Sequence, residues 1–378
     1  MAAVQKSRGI SNAQAEGCSA LWSHPVFSSF TVMHFHDEND ENEIVRNTND
    51  DATVSRLSAI AKGYFADEFV KYFVKRPVER SPIMNRGTYI RQLVLDRLVH
   101  QFLELDIPGK EKQIISLGSG FDTRYFMLKK RGLDIGCYYE VDFPETIAKK
   151  AAIVHRRKEL SQYLTDARAV KGGMELVSKH YCLLGGDLRE WDDIAKRLME
   201  HGFKVDAPTL VISECVLIYL DPLDSNRIID WLTRELTDAM VALYEQIKPD
   251  DAFGRMMIHN LQSRHIELRG IHAYPELKDQ EQRFLRLGWD HAKALDINMV
   301  HDTLLDPRDF SRMAKLEMLD EMEEWRLLSE HYCVAWAYKS CNAKGAFSSI
   351  TLEKRLPHEG QTLEPQKKTG LSRLHLRV

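Results

Sequence analysis

The chain holds 378 residues, 44% hydrophobic and 29% charged, which is enough apolar sequence for one large core or two small ones. Its formal charge of −4 offers no electrostatic attraction to nucleic acid or to an anionic membrane. Met1–Ile10 has no apolar signal core, and no run reaches the roughly 18 apolar residues a membrane helix needs. The six cysteines at 18, 137, 182, 215, 333 and 341 form no C-x-x-C pair, which argues against zinc-ribbon and thioredoxin chemistry. Cys137, Cys182, Cys215 and Cys333 sit in apolar, strand-like runs and read as buried thiols of a reducing compartment. A soluble, cytoplasmic, monomeric protein is expected.

Residues 1–50 are polar, carry five acids between Asp37 and Glu43 and lack sustained periodicity, so they read as a disordered arm. His34 and His36 have no third ligand nearby, and no metal is expected. Order should start near Asp51. A helix over 54–74, interrupted at Lys62-Gly63-Tyr64, leads into a loop at 76–86. The next helix runs from Tyr89 to Leu105. It repeats Ile90, Val94, Leu98 and Phe102 at i+4, with Leu95, Val99 and Leu103 alongside. So wide an apolar stripe suits packing on a sheet.

Ile114-Ile115-Ser116-Leu117 then meets Gly118-Ser119-Gly120. That is the pattern of a buried parallel strand turning sharply into a helix beneath a nucleotide-like ligand. Gly118 and Gly120 let backbone amides approach, because a Cβ would stand in the way. Asp142 ends a second strand pattern twenty-two residues after Gly120. An acid about 20 residues past such a turn is placed to accept both hydroxyls of a ribose. Glu140 shares its face under a period of two, so both acids stay open, with Asp142 nearer the ligand edge. Thr123 stands where a dinucleotide fold wants a third glycine. That disfavours a dehydrogenase and suits a ligand without pyrophosphate, such as S-adenosylmethionine.

A charged helix over 146–160 follows. Three strands come next: Tyr181–Leu184 ending in Gly185-Gly186-Asp187-Leu188, Thr209–Ser213 ending in Glu214, and 240–244. Each is separated from the last by helix-length sequence, as parallel crossovers require. Residues 250–300 read as a helical insertion or lid, and His331–Tyr338 as a closing strand. The main domain is therefore expected over 51–342. Residues 343–378, with seven basic residues against three acids, read as a flexible basic tail. The glycine turn, Asp142, Asp187-Leu188 and Glu214 would share the sheet's carboxyl edge, where ligands of such sheets bind.

Several motifs occur in order: Asn85-Arg86-Gly87-Thr88-Tyr89-Ile90-Arg91, Leu117-Gly118-Ser119-Gly120-Phe121-Asp122-Thr123-Arg124, Glu140-Val141-Asp142-Phe143-Pro144 and Gly186-Asp187-Leu188-Arg189. Ser213-Glu214-Cys215-Val216-Leu217-Ile218-Tyr219, Tyr244-Glu245-Gln246 and Glu330-His331-Tyr332-Cys333-Val334-Ala335-Trp336 follow. Together they closely resemble the leucine carboxyl methyltransferase family across residues 51–342. The resemblance implies an α/β, Rossmann-like class I S-adenosyl-L-methionine-dependent methyltransferase with a mainly parallel seven-stranded sheet. It also implies methyl transfer to the α-carboxylate of the C-terminal leucine of the type 2A protein phosphatase catalytic subunit.

Carried over by position, Arg91 looks like the holder of the cofactor's methionine carboxylate, with Gly118 and Gly120 at the turn. Asp142 resembles the ribose ligand, Asp187 and Leu188 the pair flanking adenine, and Glu214 an acidic cofactor contact. Arg56 falls where relatives have a basic residue, often Lys, and could pair with a carboxylate of cofactor or substrate. Tyr219 matches a tyrosine near the methyl-transfer position. A peptide carboxylate, with a pKa of about 3.3–3.7, is already ionised at neutral pH, so no general base is expected. A family branch acting on a modified tRNA base carries a kelch-type propeller, and no repeat of that period occurs here. A small-molecule O-methyltransferase of the same fold and a non-catalytic phosphatase-binding protein are the rival readings.

Overall fold

The computed structural model describes residues 38–305 and 307–352. Its nine strands are β1 (Gln113–Leu117), β2 (Cys137–Asp142), β3 (Arg168–Val170), β4 (Glu175–Ser178), β5 (Tyr181–Gly185), β6 (Thr209–Glu214), β7 (Asp238–Gln246), β8 (His291–Asp296) and β9 (Tyr332–Ser340). They form one sheet in the order β3-β4-β5-β2-β1-β6-β7-β9-β8. The five central strands, β5 to β7 in that order, are parallel, while β4 and β9 pair antiparallel at either side. The sheet therefore has nine strands where seven were expected: the β3–β4 hairpin extends one side, and β9 with β8, antiparallel on the other, make it mixed. Strands of three and four residues turning through Gly172-Gly173 are too short to display an alternating pattern.

Alternation along the central strands sorts side chains onto two faces. Ile114, Tyr138, Leu210, Met240 and Trp336 share one core with the main helices of that face. Those are α2 (Pro82–Glu104), α3 (Arg124–Lys130) and α4 (Pro144–Arg156). Ile115, Tyr139, Val211, Val241 and Ala335 face the other core, under α5 (Trp191–Glu200) and α6 (Pro222–Glu235). The wide stripe of α2 explains its burial, and Pro82 at its first turn sets the start without losing a needed amide.

Several boundaries differ from the sequence expectation, and α2 starts at Pro82, inside the loop expected at 76–86. The first helix, α1 (Glu38–Lys62), begins well inside the segment read as a disordered arm. It is largely polar, so its position rests on tertiary contacts rather than on an apolar stripe. The 250–300 segment contains α7 (Ala252–Gln262) and α8 (Leu277–Leu285), but it also contributes β8 to the sheet. Order also continues past residue 342. Phe347, Ile350 and Leu352 are buried, and Phe347 packs its ring on Phe102 and Tyr338. Among the described residues, no helix is long and apolar enough to cross a membrane.

Candidate active site

The carboxyl edge of the parallel strands gathers Gly118, Gly120, Asp142, Asp187, Leu188 and Glu214. Gly118 and Gly120 both have φ of +51°, a left-handed conformation that ordinary residues resist. Space is short as well: a Cβ on Gly118 would lie 2.6 Å from Val216 Cγ2, and one on Gly120 would overlap Asn49 Oδ1. Asp142 binds the turn directly. Its Oδ2 accepts the Gly120 amide at 2.7 Å and its Oδ1 the Phe143 amide at 2.7 Å. Burial raises the Asp142 carboxyl, and those two amides act against the rise.

Burial distinguishes Asp142 from Glu140. Glu140 lies fully enclosed, paired with Lys150 and accepting from the Tyr181 hydroxyl at 2.8 Å. A carboxylate so enclosed cannot reach a ligand, whereas Asp142 ends its strand at the crevice. Asp187 caps the short turn after β5 by accepting the Arg189 amide at 2.9 Å, and Leu188 is nearly buried beside it.

Glu214 anchors a charged network. Its Oε1 accepts from Arg91 Nε at 2.5 Å and its Oε2 from Arg124 Nη2 at 2.9 Å. Arg124 continues to Asp122 at 2.8 Å and Asp96 at 3.1 Å. Arg56 joins from α1 through Asp67 at 2.9 Å, the Thr123 hydroxyl at 2.7 Å and Asp122 at 3.7 Å. Burial works to raise the Glu214 carboxyl, but the Arg124 and Arg91 guanidiniums overcome it and hold it at about 2. Three guanidiniums thus face four carboxylates along the crevice wall.

Arg91 meets Glu214 through Nε, so its Nη edge is not used in that pair, and its guanidinium lies 5.2 Å over the Tyr244 ring. Tyr219 sits at the end of a 3-10 turn, Leu217–Tyr219, in the electrostatic reach of Cys215, Tyr332, Thr48 and Arg91. Burial pushes its hydroxyl upward, so it stays protonated at neutral pH and can donate a hydrogen bond. Tyr244 and Tyr332 stack with ring centroids 5.7 Å apart and complete an aromatic wall.

Sequence reasoning missed two parts of this site. Arg124 closes the Leu117–Arg124 motif, whose pattern assigns it no role. A cation at the positive end of a helix is unfavourable without acidic partners, and that was the available signal. The other is α1, whose polar residues cross the strand ends in turn. Asn42 Oδ1 accepts from Arg189 at 3.0 Å, Arg46 pairs with Glu145 at 2.9 Å, and Asn49 Oδ1 accepts the Phe121 amide at 2.8 Å. They share one helical face at i, i+4 and i+7, but no apolar stripe marks that face in the sequence.

The donors and acceptors suit an adenosine bearing an amino-acid chain. Asp142 offers acceptors for a diol, Asp187 and Leu188 an acid and an apolar flank for a base, and Arg91 a cation for a carboxylate. Among the described residues, no group of three or more His, Cys, Asp or Glu could hold a metal ion. His34 and His36 lie outside the described residues.

The family model for leucine carboxyl methyltransferase matches residues 43–233. The leucine carboxyl methyltransferase 1 homolog of Arabidopsis thaliana is 43% identical over 81% of this chain and 92% of that relative. Leucine carboxyl methyltransferase 1 of Bos taurus is 34% identical over 84% of this chain and 96% of its own. The tRNA wybutosine-synthesizing protein 4 of Rattus norvegicus is 36% identical over 77% of this chain, which spans 43% of that protein. The chain belongs to the leucine carboxyl methyltransferase family, and it is an S-adenosyl-L-methionine-dependent methyltransferase.

Proposed function

We propose that this enzyme methylates the α-carboxylate of a C-terminal leucine, that of the type 2A protein phosphatase catalytic subunit, and leaves a leucine methyl ester. The observation that supports this most is the match across nearly the full length of relatives named leucine carboxyl methyltransferase 1. In this reading Asp142 accepts the ribose hydroxyls, Asp187 and Leu188 border the adenine, and Gly118 and Gly120 keep the turn close to the ligand. Arg91 pairs with the methionine carboxylate through its Nη edge, and Glu214 fixes the orientation of Arg91. Arg56 Nη1, 3.7 Å from Asp122, is the part of that guanidinium left to meet a carboxylate.

When bound, the sulfonium supplies a methyl group that is already activated, so the protein's contribution is placement. The acceptor enters ionised, and no proton has to be removed from it. The protonated Tyr219 hydroxyl donates to one acceptor oxygen and leaves the other in line with the methyl. The Tyr244 and Tyr332 rings keep water from the carboxylate, whose charge disappears as the ester forms.

The test offers four acceptors with labelled S-adenosyl-L-methionine: the phosphatase catalytic subunit, its C-terminally amidated form, total tRNA, and small free acids. Label on the free-terminus subunit alone, lost on mild alkali, is the expected result. Equal labelling of the amidated subunit would mean a side-chain acceptor and end the leucine-carboxylate reading. Label confined to tRNA would favour the activity named in the wybutosine relatives, and label confined to free acids a small-molecule enzyme.

A further inference from the structure

The turn that carries Tyr219 is poorly held by its own backbone. After Glu214 the chain passes through Cys215 at φ +56°, a left-handed conformation costly for a residue with a Cβ. The following 3-10 turn has two backbone bonds of its own, Tyr219 N–H to Val216 O at 3.1 Å and Leu220 N–H to Leu217 O at 3.2 Å. The Leu217 and Ile218 amides, like those at any helix start, find no partner within the turn.

Both are met from outside it. Glu245 on β7, 1% exposed, accepts the Ile218 amide at 2.8 Å, and the Leu217 amide acts on the same carboxylate. Arg283 on α8 places Nη1 3.8 Å from the other Glu245 oxygen and lays its guanidinium 4.3 Å over the Tyr274 ring. From the opposite side, the Gly270 amide donates to the Ile218 carbonyl at 2.8 Å. Ile218 is thus pinned at both its amide and its carbonyl.

Stability alone is a weak reason for this arrangement. A buried carboxylate and guanidinium 3.8 Å apart recover little of the hydration they give up, and apolar replacements of such pairs are often neutral or stabilising. Burial lifts the Glu245 carboxyl to about 7 despite Arg283 and the two amides, and Arg283 keeps Nε and Nη2 without partners. Buried polar groups left short of partners call for a functional account.

We infer that Glu245, held by Arg283, is a positioning residue that sets the Leu217–Tyr219 turn and thereby aims the Tyr219 hydroxyl at the acceptor. The inference rests on the role proposed above for Tyr219. It also gives the 250–300 segment a task, since α8 and Gly270 both belong to it.

The experiment compares E245Q, Y219F and the double variant in the full chain. It reads kcat, the dissociation constant of S-adenosylhomocysteine by calorimetry, and the melting temperature. Glutamine keeps one acceptor oxygen but turns an amide donor toward either a backbone N–H or Arg283. E245Q should therefore lower kcat about tenfold, with S-adenosylhomocysteine affinity within about twofold of the parent. In the Y219F background the same change should cost less than about twofold, because the group it aims is gone. Equal losses in both backgrounds, or a normal kcat for E245Q beside a slow Y219F, would overturn the positioning role alone. A normal kcat for Y219F would overturn the Tyr219 reading and this inference with it. Should E245Q melt below the assay temperature, R283K retains the carboxylate, and the same background dependence is expected at about threefold.

Discussion

At the carboxyl edge of the sheet, Gly118, Asp142, Asp187 and Glu214 each end or directly follow the strand that arrives there. The bond from the Gly120 amide to Asp142 spans 22 residues, one crossover of the fold. Segments that arrive from distant parts of the chain, α1 over that edge and 344–352 beside the amino ends of the strands, are assembled differently. Asn49 reaches the Phe121 amide across 72 residues, Asn42 reaches Arg189 across 147, and the 344–352 segment returns to α2 from the far end of the chain. The edge follows from local pattern, so a short stretch of sequence announces it. The cover depends on where distant chain lands, which no local pattern records.

If the late segment truly completes the core, removing one ring from it should have the largest effect of the changes considered. Phe347→Ala should cost about 3–5 kcal/mol, as for other buried Phe-to-Ala changes, and denaturant melts would show it. An unchanged midpoint would detach 344–352 from the core and shrink the comparison to α1 alone. The sheet edge is probed next by Asp142→Ala. Losing charge-assisted hydrogen bonds should weaken S-adenosylmethionine by about 1.5–3 kcal/mol in calorimetry on the folded variant. Unaltered affinity would remove Asp142 from the ligand's contacts, and enclosed Glu140 could not replace it.

Arg46→Ala tests whether α1 covers the crevice or helps form it. The Arg46–Glu145 pair is part-exposed on both sides, so its loss is worth at most about 1 kcal/mol, or about fivefold in cofactor affinity. A loss as large as that of Asp142→Ala would promote α1 from cover to binding wall. A further change is read in acid stability. Glu214 is held at about 2 in the fold, against an unfolded value of about 4.3. Its stabilisation is therefore fully present above about pH 4.5 and drains away as pH falls toward 2. Glu214→Gln should melt lower at pH 7 and lose less on acidification to pH 3. A melting curve that keeps the parent's full pH dependence would place the acid sensitivity elsewhere, with Asp122 next to be replaced.

By itself the sequence determined the parallel strands, the glycine turn and the acids at the strand ends, because alternation, a double glycine and strand termination are features of neighbouring residues. It could not choose between Glu140 and Asp142, which share a face. Only the burial of Glu140 against Lys150 and Tyr181 separates them. It placed β8 inside a helical insertion, since an edge strand of six half-buried residues lacks the apolar run of the central strands. The network of Arg56, Arg91 and Arg124 with Asp67, Asp96, Asp122 and Glu214, and the seat of α1 across the strand ends, were decided by the tertiary structure alone. Charged side chains carry no periodic signature of their partners, and an ion pair acquires its geometry only when the chain between its members has folded.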